Sequence, residues 1–179
     1  MAERRQSHIW AMRLIYLGLC TLLVFLHLLP LDTTPRGWAG PDLILALTCA
    51  WVLRRPEFVP APLIATVFLM TDLLYQMPPG LWAALVLIGS EALRARAAGL
   101  RDLTFAAEWA SVAVTLCAMT LGYQLILGLL LIDRPHLGLS LMQLVMTLAC
   151  YPLVVYASHI AFGVRKQAPG DVDALVNRK

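Results

Sequence analysis

The chain is predicted to be an all-α, polytopic integral membrane protein, a bundle of six transmembrane helices. Three features of the sequence point there. Of its 179 residues, 60% are hydrophobic and 14% charged, whereas a soluble domain carries roughly 25% charged residues. The apolar residues gather into six runs, at about 12–29, 42–53, 60–76, 79–93, 104–131 and 137–162. The basic residues fall between those runs unevenly, the pattern that sets orientation across a bilayer.

The first run follows Arg4, Arg5 and Arg13 and continues from Leu14 to Leu29. A secretory signal would end at a small-x-small cleavage site; none is clean here, and further apolar segments follow, so an uncleaved first span is expected. The second run, "PDLILALTCAWVL", is short. At about 1.5 Å per residue it covers about 20 Å, against a hydrocarbon layer of about 30 Å. It reads as a short spanning helix whose flanking Arg54 and Arg55 snorkel, with a half-helix buried among its neighbours as the alternative. Pro41 and Asp42 mark its start and place a carboxylate at the positive end of the helix dipole. Pro56 closes it.

The third and fourth runs form a hairpin joined by "QMPPG". Pro78 and Pro79 forbid one continuous helix, and Gly80 suits a turn. Pro60 and Pro62 fall in the first turn of the third helix, where a missing amide hydrogen matters little. The fifth run is long enough to tilt or project, and the sixth spans easily. Residues 1–163 thus form the transmembrane domain, and 164–179 a short polar cytoplasmic tail.

With six crossings, Arg4, Arg5, Arg13, Arg54, Arg55, Arg94, Arg96, Arg101, Arg165, Lys166, Arg178 and Lys179 share one side. These are 12 of the 14 basic residues, leaving Arg36 and Arg134 opposite. Both termini are therefore expected in the cytoplasm.

Cys20, Cys49, Cys117 and Cys150 lie inside apolar runs without ligand spacing, and no two of the four histidines are placed to share a metal, so no metal or cofactor is expected. The basic residues do not form the continuous solvated face of a nucleic-acid binder. Walker, dinucleotide and HExxH motifs are absent, and an intramembrane aspartyl protease would need a second aspartate beside Asp72. The expectation is a protein that is not an enzyme.

The candidate residues are the polar ones inside apolar runs. A charge near mid-membrane costs several kcal/mol and normally faces protein or an aqueous cavity. Asp72 lies toward the outer end of the third run, and its leading reading is a packing group bonded to a neighbouring hydroxyl or indole. A binding or partner contact and proton coupling are the alternatives. Thr71, Gln76, Trp82, Tyr123 and Gln124 are groups a bundle would have to gather around it. Gln124 alone suggests an interhelical hydrogen bond, worth about 1 kcal/mol. Glu91 suggests a one-turn bridge to Arg94. Glu91 and Glu108 are further expected to share one of the intervening arginines. Trp10, Trp38, Trp51, Trp109 and Tyr16 read as interfacial anchors.

The stretch "RGWAGPDLILALTCAWVLRRPEFVPAPLIATVFLMTDLLYQMPPGLWAALVLIGSEALRAR" resembles the rod shape-determining protein MreD family in its alphaproteobacterial form. The likeness rests on Pro41-Asp42-Leu43, on Trp51 with Arg54, Arg55 and Pro56, on Asp72-Leu73-Leu74, and on Pro79-Gly80-Leu81-Trp82. It is strong over about residues 36–96, and elsewhere extends to length and hydrophobicity. Where the family often has a glycine-rich approach to its aspartate-leucine pair, this chain has the bulkier "IATVFLMTD". The resemblance implies a non-catalytic component of the bacterial inner membrane that binds MreC and, directly or through the complex, MreB, RodA and penicillin-binding protein 2. It also implies a fold like the substrate-binding subunits of energy-coupling-factor transporters. The function expected is a scaffold of the cell-elongation complex. The alternative is a substrate-binding or transport subunit with an outward-facing cavity near Asp72 and Gln124. A short second helix beside longer neighbours further predicts a notch for a partner helix on helices two and three.

Overall fold

The computed structural model describes residues 2–29, 39–97, 99, 104–131 and 136–164, with side chains from residue 6 onward. Arg36, Trp38, Arg101 and Arg134, and the tail with Arg165, Lys166, Arg178 and Lys179, lie outside the described residues. Among the described residues there are six helices: α1 (Ala2–Leu28), α2 (Leu43–Arg54), α3 (Ala61–Leu74), α4 (Leu81–Ala97), α5 (Phe105–Leu129) and α6 (Leu137–Phe162).

The helices start and stop close to the apolar runs, with one large exception. α1 begins ten residues before its run, because "AERRQSHIWA" contains good helix formers and no glycine or proline to interrupt them. Hydropathy marks where a helix can meet lipid, not where it must begin. α4 extends past its run to Ala97 and places Arg94 and Arg96 in its last turn, where cations oppose the negative end of the dipole.

Among the described residues three helical segments are long and apolar enough to cross a bilayer: Gln6–Leu28, Phe105–Leu129 and Leu137–Phe162. The chain is a multi-pass membrane protein. α2 and α3 are apolar but shorter, and length alone does not carry the six full crossings expected of the apolar runs.

α1 lies against α3, α3 against α4, α4 against α5 and α5 against α6, while α2 touches α1, α4 and α6. Every residue from Ile44 to Leu53 is buried. α2 is twelve residues long, a rise of about 18 Å, and its neighbours wrap it on every side. The predicted notch on α2 is accordingly filled. α3 instead keeps an open apolar face, with Leu69, Met70 and Leu73 exposed at 44%, 56% and 56%.

Trp51 and Tyr16 correct a second expectation, since both are fully buried and neither is an interfacial anchor. The Trp51 ring lies 5.7 Å from Tyr16, 6.3 Å from Phe58 and 5.8 Å from Phe162. Burial is tolerable because each polar tip finds a partner inside. The Trp51 indole donates to Ser158 Oγ at 3.1 Å, and the Tyr16 hydroxyl meets Thr48 Oγ1 at 2.7 Å. Thr48 already donates its own hydrogen to Ile44 O, so Tyr16 is the donor in that pair. Trp10 is 56% exposed, as an anchor should be. Trp109 is half-exposed and donates to Leu148 O at 3.1 Å.

α4 approaches α5 closely at Gly89, where a Cβ would require the Met119 side chain to move and would press on Thr115.

Candidate functional site

Asp72 is fully buried in the last turn of α3. Its Oδ2 accepts hydrogen bonds from the amides of Gly80 at 2.9 Å and Ala83 at 3.1 Å. The first amides of a helix have no intrahelical acceptor. At the start of α4 the flanking residues are Pro78, Pro79 and Gly80, none of which carries a capping oxygen. Asp72 supplies it from the preceding helix, eight residues upstream of Gly80. The carboxylate also lies at the positive end of the α4 dipole, an arrangement worth up to about 2 kcal/mol in partly buried geometry. Its partners are thus backbone amides, in place of the hydroxyl or indole expected.

The tight turn makes this reach possible. Met77 N donates to Asp72 O at 3.0 Å and Gln76 N to Leu73 O at 3.4 Å, the paired bonds of a Schellman ending to α3. Gln76 adopts φ 56° there. Gly80 follows at φ 85°, a left-handed region glycine enters without a Cβ clash, and the chain turns directly into α4.

Around this cap the predicted cluster assembles only in part. Trp82, in the first turn of α4, meets Tyr123 of α5 edge-on with centroids 5.4 Å apart. Thr71 donates to Phe68 O within its own helix at 2.7 Å. Gln124 is buried and its Nε2 donates to Ser140 Oγ of α6 at 2.9 Å, the interhelical bond that its position alone suggested. Asp72 therefore serves the α3–α4 turn, and Gln124 the α5–α6 pair.

A second polar group sits at the opposite end of α2. Arg54 Nη2 donates to Glu108 Oε1 at 3.1 Å, and the Tyr151 hydroxyl donates to the same oxygen at 3.0 Å. The Glu108 side chain is 1% exposed and that of Arg54 11%. Arg54 is thus a partner of Glu108 that the sequence did not single out; Arg101, one of the arginines expected to be shared by Glu91 and Glu108, lies outside the described residues. Arg54 reaches Glu108 because α2 ends beside the start of α5, and a fully buried carboxylate is stable only when paired. Glu91 and Arg94 do form the one-turn bridge, and Arg94 also donates to Val59 O, tying α4 to the α2–α3 loop. Arg55 pairs with Glu57 at 3.3 Å.

These contacts make α2 the polar axis of the bundle. Asp42 caps it by accepting from Leu45 N at 2.9 Å, while Asp42 N donates to Thr147 of α6 at 2.9 Å. Thr48, Trp51 and Arg54 then bond to α1, α6 and α5 in turn. A step of three residues at 3.6 per turn moves the side-chain direction back by about 60°. Residues 48, 51 and 54 consequently address three different neighbours. Pro41, Pro56 and Pro79 delimit the helices without a polar contact of their own.

Ser158, Tyr151, Ser140 and Thr147, all on α6, are the partners that sequence reasoning missed. Each sits in an apolar helix as a hydroxyl, a signal present in the sequence but shared with many hydroxyls that bond only their own backbone. For Asp72 a sharper signal existed: "MPPGLW" opens a helix with no local cap, so a distant acceptor had to exist.

Among the described residues no three His, Cys, Asp or Glu side chains gather as a metal site, and the four cysteines are free thiols. No family model, no curated protein and no solved structure matches this chain.

Proposed function

We propose that this chain is a non-catalytic scaffold of the MreD kind. In this reading it resides in a bacterial inner membrane with both termini in the cytoplasm, holds the transmembrane region of MreC, and meets MreB, RodA and penicillin-binding protein 2 directly or through that complex. A six-helix arrangement like that of energy-coupling-factor substrate-binding subunits belongs to the same proposal. The observation that supports it is the way the intramembrane polar groups engage one another. Asp72 caps α4, Gln124 joins α5 to α6, and Arg54 with Glu108 and Tyr151 joins α2, α5 and α6. Groups so engaged hold a shape; a ligand site would aim polar atoms into a cavity. The open apolar face of α3 is the surface this reading assigns to a partner helix.

The test is a pulldown of the full chain in mild detergent, with mass spectrometry of both proteins and small molecules. A single-span membrane protein should be recovered in stoichiometric amount and should crosslink to cysteines placed at Leu69 or Leu73. Recovery of a stoichiometric small molecule without a protein partner would favour a substrate-binding subunit and defeat the scaffold reading.

A further inference from the structure

We draw no further inference here: the strongest candidate, the open apolar face of α3 at Leu69, Met70 and Leu73, is the surface the scaffold reading already assigns to a partner helix, and nothing in the structure shows what covers it.

Discussion

The Trp109 indole nitrogen donates to the carbonyl oxygen of Leu148, 3.1 Å away, and that carbonyl is the one Pro152 leaves without a helical donor. In an α-helix the carbonyl of residue 148 would accept from the amide of residue 152, but proline has no amide hydrogen. Pro152 lies inside α6, so the Leu148 carbonyl needs a donor from outside its own helix. A side chain of α5 thereby completes the backbone of α6. Trp109 stays half-exposed as an interfacial tryptophan would, yet its polar edge has a defined task.

Trp109→Phe should destabilise the fold by about 1 kcal/mol, in line with hydrogen bonds measured between membrane helices. In a Pro152→Ala background the same replacement should cost markedly less, because Leu148 O regains a backbone donor. Unfolding of all four proteins in mixed micelles gives the coupling. Equal costs in the two backgrounds would show that the indole contributes by packing alone.

Asp72→Asn should be tolerated within about 1 kcal/mol, because asparagine caps helices as well as aspartate. The amide oxygen can take the place of Oδ2, and Oδ1 accepts no hydrogen bond from the described residues. Asp72→Leu should cost about 2–4 kcal/mol by leaving the Gly80 and Ala83 amides unpaired. Thermal unfolding in detergent separates the two, and complete loss of folding in both would point to a required negative charge.

Glu108→Gln and Arg54→Met should each cost about 3–5 kcal/mol, since either strands half of a buried ion pair. The double replacement should fall well short of their sum, having removed both charges together. Tyr151→Phe removes one hydrogen bond to a carboxylate and should cost about 1.5–3 kcal/mol. Strict additivity of Arg54→Met with Glu108→Gln would contradict the pairing.

Gln76→Gly should stabilise the α3–α4 turn by up to about 1 kcal/mol. Gln76 holds φ 56° at the position after the α3 cap, where a side chain is disfavoured and glycine is the usual occupant. Part of the gain is lost to the greater freedom of glycine in the unfolded chain. A fall in midpoint temperature on this replacement would mean that the Gln76 side chain makes a contact that outweighs its backbone.

Much of the architecture was readable from the residues in order. The helical class, the positions of α2 through α6 to within four residues, the cap at Asp42 and the bridge of Glu91 to Arg94 all depend on neighbours in the chain. Hydropathy, proline placement and one-turn spacing report on those directly. Pairings between helices were not readable in this way. That Glu108 takes Arg54, that Trp51 lies in the core with Ser158, and that Asp72 caps a helix other than its own depend on which faces meet and at what height. Each of these residues had several chemically acceptable partners in the sequence. Packing selected among them by distance, because a buried charge or indole must be satisfied by whatever groups the folded helices bring within about 3 Å.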